Sequence, residues 1–334
     1  MTNSAATLLT NNITIGTGNA AVSNSVNSTL GGSITNVSGS ANLTLTKDGA
    51  GALTLTNALG ASGTTGSIAL NVTNGNLVLS GAQKYITNSQ INTGAKLVLD
   101  GVTLNTRNIK IGGGGTIEVT NNSTLSNSIG STQITNQVSV SEGSKLSVGT
   151  PGSYYVEFQN GILGAGNFTA LSGGTNRING VSTIAGLTIN SGGVVSLVNA
   201  TASNTVITNN GTLNIQLSSG VLTYTGAGNL AHYSGNISGN GAISANGSQN
   251  FYLDGNISGA NNISLDNNSS GNQVFLTGSN SFSGGITFAN PAAGSVWFSN
   301  SNALGTGTIS NNTSRTSIWM GTSVAPITFR RTIS

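Results

Sequence analysis

A glycine, one or two spacer residues, and then two apolar residues with a single residue between them form a short pattern that recurs along this chain. It constrains the fold more than any other feature of the sequence. It stands at Gly51-Ala52-Leu53-Thr54-Leu55, Gly75-Asn76-Leu77-Val78-Leu79, Gly94-Ala95-Lys96-Leu97-Val98-Leu99 and Gly115-Thr116-Ile117-Glu118-Val119. Leu77, Leu97 and Ile117 fall 20 residues apart. Later instances, at Gly143-Ser144-Lys145-Leu146-Ser147-Val148, Gly193-Val194-Val195-Ser196-Leu197 and Gly211-Thr212-Leu213-Asn214-Ile215, keep the pattern and lose the spacing. Coils with loops of variable length would do this. A unit this short cannot bury its own apolar face, but stacked on its neighbours it sets leucine on leucine in one continuous core. The chain is therefore expected to be an all-β solenoid. Leu77, Leu97 and Ile117 should form one inward ladder, with Val78, Val98 and Glu118 on the outer face.

An antiparallel sandwich would need longer strands joined by hairpins. The Asn-Gly pairs Asn74-Gly75 and Asn210-Gly211 read instead as corners within a coil, since both residues tolerate left-handed backbone angles. No window keeps apolar residues at three- and four-residue spacing, so little or no helix is expected.

Charged residues make up 5% of the 334 residues, with 49 Gly and 3 Pro, so the surface must be solvated by Asn, Ser and Thr. The net charge of +3 comes from 10 basic and 7 acidic residues spread thinly, and the only adjacent basic pair is Arg330-Arg331. A nucleic-acid partner calls for clustered Lys and Arg, and none is expected. The absence of cysteine excludes disulfides and thiolate metal sites and suits export through an oxidising compartment. No run approaches the roughly 18 apolar residues of a membrane helix, so direct membrane insertion by this segment is not expected.

Two stretches carry a family resemblance. Lys47-Asp48-Gly49-Ala50-Gly51-Ala52-Leu53-Thr54-Leu55-Thr56, followed by Gly75-Asn76-Leu77-Val78-Leu79-Ser80-Gly81, resembles the autotransporter-associated β-strand repeat with its Lys-x-Gly-x-Gly-x-Leu-x-Leu opening. Leu276-Thr277-Gly278-Ser279-Asn280-Ser281-Phe282-Ser283-Gly284, then Asn302-Ala303-Leu304-Gly305-Thr306-Gly307, is similar to the family's Leu-x-Gly-x-Asn-x-aromatic-x-Gly core and Ala-Leu-Gly-x-Gly tail. The first stretch lacks the Asn-x-aromatic-x-Gly element, and the middle of the chain matches only the general rhythm. The resemblance implies a right-handed parallel β-helix in a bacterial protein exported to the cell surface or beyond, with no active site. It places family-like repeats near 47–81 and 271–312 of a single elongated domain spanning 1–334, expected to be a fragment of a longer repeat protein.

Parallel β-helices also include polysaccharide-degrading enzymes, whose chemistry needs a carboxylate pair about 5 to 9.5 Å apart. The acids are Asp48, Asp100, Glu118, Glu142, Glu157, Asp254 and Asp266. Asp100 and Glu118 lie nearly one coil apart and could approach each other. The coil carrying Lys96, Asp100, Arg107, Lys110 and Glu118 is the most charged region and a candidate ligand contact. A neutralised row of charges between coils explains it as well. His232, the sole histidine, has no Cys or Asp beside it to suggest a metal or a triad. Gly112-Gly113-Gly114-Gly115 lacks the Lys-Ser/Thr of a phosphate loop and reads as a corner.

The aromatics at Tyr154-Tyr155-Val156-Glu157-Phe158, Phe251-Tyr252 and Trp297-Phe298, with Trp319 beyond, would alternate between core and surface, and Trp297 is a candidate sugar contact. Thr44-Leu45-Thr46 and Thr54-Leu55-Thr56 are steps of the kind ice-binding solenoids use, but they fade after two coils. The expected function is a non-catalytic adhesin, stalk or structural module without cofactor, with polysaccharide binding or degradation as the alternative. Its partners would be a host or matrix glycan or protein. Because Ile13-Thr14-Ile15 and Ile327-Thr328-Phe329-Arg330 alternate like ordinary strands, end-to-end self-association is also expected to be open to it.

Overall fold

A computed structural model describes residues 2–3, 8–15, 18–36, 43–61, 66–107, 110–150, 152–201, 206–209, 212–217, 231–233, 236–247, 251–266, 273–288, 295–299, 301–311 and 317–320. No helix occurs among them; the strands run from two to eight residues. Neighbouring strands pair in parallel, each with the strand one coil further on, as a β-solenoid requires. The chain divides into two compact units, Met1–Thr169 with Gly173–Asn176, and Ala170–Ser172 with Arg177–Ser334.

The first unit has three sheets. Sheet 1 contains Ala20–Asn24, Thr44–Asp48, Ala69–Val72, Ser89–Ile91, Lys110–Gly112, Thr132–Ile134 and Tyr155–Phe158. Sheet 2 contains Ser28–Leu30, Leu53–Leu55, Asn76–Ser80, Lys96–Asp100, Thr116–Val119, Gln137–Val140 and Ile162–Leu163. Sheet 3 contains Lys84–Tyr85, Thr103–Arg107, Ser123–Ile129 and Lys145–Gly149. Residues paired across a sheet are 19 to 25 positions apart.

The expected ladder is present. Leu53, Leu77, Leu97, Ile117 and Val138 are laterally paired in that order and buried. Leu55, Leu79, Leu99, Val119 and Val140 form a second buried column beside it. Each such side chain contributes about 1.5 to 3 kcal/mol by leaving water.

Val78, Val98 and Glu118 share the outward column between them, as expected. Val98, however, is only 8% exposed. Lys96, two residues earlier on the same face, pairs diagonally with Glu118 beside Val98 on the next coil, so the ion pair brackets the valine.

The instance of the pattern at Leu146 and Val148 lies in sheet 3, where Val148 pairs with Leu125, and not in sheet 2. This is why the 20-residue rhythm breaks: the same in-out-in step serves more than one face of the coil.

The corners hold the least expected feature of this unit. Lys47 and Lys84 are completely buried. Lys47 occupies a core column between Val22 and Val72, and Lys84 lies between Leu59 and Leu104. A buried ammonium is costly unless its three donors are matched. The Lys47 Nζ donates to the carbonyls of Asp48 (3.0 Å), Gly49 (2.7 Å) and Asn74 (2.9 Å). The Lys84 Nζ donates to those of Asn57 (2.5 Å), Ser80 (2.8 Å) and Ala82 (2.7 Å). Each lysine thus gathers carbonyls that a tight corner turns away from the sheets, on two successive coils. Gly49 beside Lys47 has φ +82°, and a Cβ there would stand 2.3 Å from the Asn24 carbonyl oxygen of the preceding coil. The Lys-x-Gly opening therefore forms a stacked corner.

In the second unit, sheet 4 contains Val194–Thr201, Thr212–Leu217, Ala242–Gly247, Asn262–Asp266, Gly285–Phe288 and Ile309–Asn311. Sheet 5 contains Gly186–Ile189, Val206–Asn209 and Ile237–Gly239, and sheet 6 contains Ala231–Tyr233, Phe251–Leu253, Gln273–Leu276, Ser295–Phe298 and Ser317–Met320. Pairing offsets range from 18 to 30. Here asparagine serves the corners. Asn280 is buried, accepts from the Ile257 N–H at 2.7 Å and donates to the Ala303 carbonyl at 2.5 Å, while Phe282 two residues on is fully buried. The Asn-x-aromatic element thus joins three coils. Asn210-Gly211 and Ile327–Arg330 lie outside the described residues.

Candidate functional site

The charged coil singled out in the sequence is spread over three sheets. Lys96, Asp100 and Glu118 project from sheet 2, Arg107 ends a strand of sheet 3, and Lys110 opens a strand of sheet 1. The structure brings together Lys96 and Glu118, whose Nζ and Oε2 are 3.0 Å apart in an ion pair between neighbouring coils. Asp100 turns to other partners on the next coil, accepting from Asn121 Nδ2 at 2.5 Å and Thr120 Oγ1 at 3.5 Å.

The same lateral arrangement recurs. Asp48 accepts from Thr73 Oγ1 at 2.9 Å and Asp254 from Thr277 Oγ1 at 2.5 Å, each across one coil. The Gly49 backbone N–H, then the Thr73 hydroxyl, hold the Asp48 carboxyl below its ordinary range against desolvation, with Lys47 adding the smallest contribution. Glu157 accepts from Gln133 Nε2 and Gln159 Nε2, both at 3.2 Å.

Sheet 1 of the first unit carries a groove of about 810 Å³ on its outer surface. Two outward columns cross it. One runs Thr46, Asn71, Gln90, Gly112, and the other runs Thr44, Ala69, Asn88, Lys110. Asn88 Oδ1 accepts from the Lys110 backbone N–H at 2.8 Å, and so fixes the strand on which Lys110 stands. Among the described residues Lys110 is the groove's single charged lining residue and is exposed; apart from the buried Leu70, the rest are amides, hydroxyls and small residues. Of the candidate ligand contacts named from sequence, Lys110 alone lines it; Thr44, Thr46, Gly112 and Gly113, read there as a threonine step and a corner, line it as well. The amides around it were missed because no motif marks them. The available signal was parity: Asn71, Gln90 and Lys110 all occupy solvent-facing positions of strands that can be registered on one another.

Trp297 belongs to sheet 6 of the second unit. Strand register sets His232, Tyr252, Phe275, Trp297 and Trp319 in one column. The column alternates with a buried one formed by Leu253, Leu276 and Phe298. Tyr252, Phe275 and Trp297 are half-buried. The Tyr252 and Phe275 rings stack at 4.1 Å and 9°, and Phe275 and Trp297 at 5.9 Å and 24°. Burial, then the Asp254 carboxylate, pushes the Tyr252 hydroxyl pKa up. A sugar stacks on the face of a ring, and between Tyr252, Phe275 and Trp297 these faces are turned toward one another.

Compared with models of protein families, with curated proteins and with solved structures, the chain gives no significant match.

Proposed function

We propose that this chain is a non-catalytic bacterial surface or secreted β-solenoid that acts as an adhesin, stalk or structural module. The observation that carries this reading is the use made of its carboxylates. Asp48, Asp100, Glu118, Glu157 and Asp254 each accept a hydrogen bond from a side chain on the adjacent coil. Acids engaged in this way hold register between coils; they are not poised as a proton donor and a base across an open cleft. The motif resemblance to autotransporter-associated repeats supports export and display on the cell surface, and no cofactor is invoked.

The test is an array of glycans and host or matrix proteins probed with the purified chain, run beside an assay for reducing ends released from neutral and acidic polysaccharides. Binding without release is expected. Release that disappears in Asp100→Asn would overturn the reading in favour of an enzyme. Electron microscopy of the same sample reports whether the chains join end to end. Polysaccharide binding, the second reading, is favoured by one observation, the groove on sheet 1.

A further inference from the structure

We infer that the groove on sheet 1 of the first unit binds an extended, carboxylate-bearing polysaccharide laid across the coils, with Lys110 on a carboxylate of the chain. This deepens the adhesin reading and rests on it. Three features of the groove select this ligand.

The first is its unspent hydrogen-bonding capacity. The side chains of Thr44, Thr46, Asn71, Gln90 and Lys110 make no hydrogen bond or ion pair among the described residues, although they stand side by side on successive strands. Amides both donate and accept, as do hydroxyls, and this is the complement of a polyhydroxylated chain. Successive coils are spaced about 4.8 Å apart, so the array repeats along the solenoid axis at a distance similar to the advance of one sugar in an extended glycan.

The second is shape. Gly112 forms the floor. A Cβ placed on it would meet Thr135 Oγ1 at 3.2 Å, Gln90 Oε1 at 3.7 Å and Lys110 Cε at 3.7 Å. Three polar side chains from three neighbouring coils therefore converge on a residue with no side chain of its own and give the groove polar walls there. Ala69 keeps the floor low on the adjoining column.

The third is charge. Among the described residues Lys110 is the lone ion lining the groove, and no carboxylate lines it. Glu157 is two coils further along the Lys110 column and is held by Gln133 and Gln159. One unpaired ammonium among neutral partners suits a polymer with spaced carboxylates. A densely sulfated chain or a nucleic acid would require several cations.

The experiment is titration calorimetry of the purified chain with polygalacturonate, with its methyl-esterified form and with hyaluronate, following the length of each polymer throughout. Binding to at least one of the two acidic polymers is expected, with Lys110→Gln and esterification each weakening it about tenfold, a loss typical of one charge-assisted hydrogen bond. Gly112→Leu forces Gln90, Lys110 and Thr135 apart and should abolish binding. Lys96→Gln, on sheet 2, should bind as the unaltered chain does. Lys110 is exposed, so its replacement leaves the fold intact and the test stands even where Gly112→Leu misfolds.

Equal affinity for the charged and esterified polymers, or no effect of Lys110→Gln, would overturn the inference. So would failure of both acidic polymers to bind; the adhesin reading would then survive if the chain still captured a protein on the array. Shortening of any polymer would instead overturn the non-catalytic reading.

Discussion

Sheet 1 of the first unit and sheet 6 of the second are built by the same rule and put it to opposite uses. In both, parallel pairing sets the outward side chain of one coil beside that of the next. On sheet 6 the aligned residues are rings, which satisfy one another by stacking. On sheet 1 they are amides and hydroxyls in columns interrupted by Ala69 and Gly112, and Thr44, Thr46, Asn71 and Gln90 leave their side-chain hydrogen-bonding capacity unused among the described residues. Lateral register creates columns in either case. Whether a column stiffens the solenoid or offers it to a ligand depends on whether its members can saturate each other.

The comparison concerns outer faces, so it requires the inner faces of the two units to behave alike. Leu97→Ala in the first unit and Leu276→Ala in the second should each cost about 2 to 5 kcal/mol in urea denaturation. Both side chains are fully buried. A loss below about 1 kcal/mol at either site would mean that this unit's core is not packed as its columns indicate.

The corners should differ between the units in charge. Lys84→Met removes three donors from buried carbonyls and should destabilise the first unit by about 3 kcal/mol. Burial lowers the Lys84 pKa from 10.5 to about 8. Between these values the unfolded chain holds a proton that the folded chain has released, so stability should rise with pH across that window. Denaturation of the unaltered chain and of Lys84→Met from pH 7.5 to 10.5 checks this. The gap between them should widen as pH increases, and a narrowing gap would reverse the assigned sign.

A more direct test of the two columns pairs Phe275→Ala with Gln90→Ala. The first removes a ring stacked on both sides and should cost about 1 to 2 kcal/mol. It should also shift tryptophan emission, since both tryptophans, Trp297 and Trp319, lie in that column. The second removes an amide whose side chain has no hydrogen-bond partner among the described residues and should change stability by no more than about 0.5 kcal/mol. Equal costs would erase the distinction. Lys96→Gln, which breaks a surface ion pair, should likewise cost only about 0 to 1 kcal/mol, an effect that 1 M salt should remove.

Much of the fold was legible because it depends on parity. The Leu77, Leu97 and Ile117 ladder follows from apolar residues at alternate positions and a constant offset, with no knowledge of what surrounds them. Lys47 and Lys84 obey the same parity. Thr44-Leu45-Thr46-Lys47 alternates without a break, and Lys47 is as deeply buried as Leu45. They were overlooked because a lysine is expected outside, and only the three carbonyls converging on each ammonium make the interior tolerable. The charged coil was legible as a set of residues in sequence. It was not legible as a site, since the corners within one coil turn Lys96, Arg107 and Lys110 onto three different sheets.

The sequence by itself determined the parallel solenoid, its inward ladder and the scarcity of charge, all of which are properties of spacing and composition. Tertiary structure decided which coil lies beside which and on which face each copy of the pattern falls. Every sheet asks for the same in-out-in step, so the pattern cannot say whether Val148 belongs with Leu125 or with Val119. Loop length settles that, and with it whether Gln90, Lys110 and Thr135 are scattered over the surface or meet above Gly112.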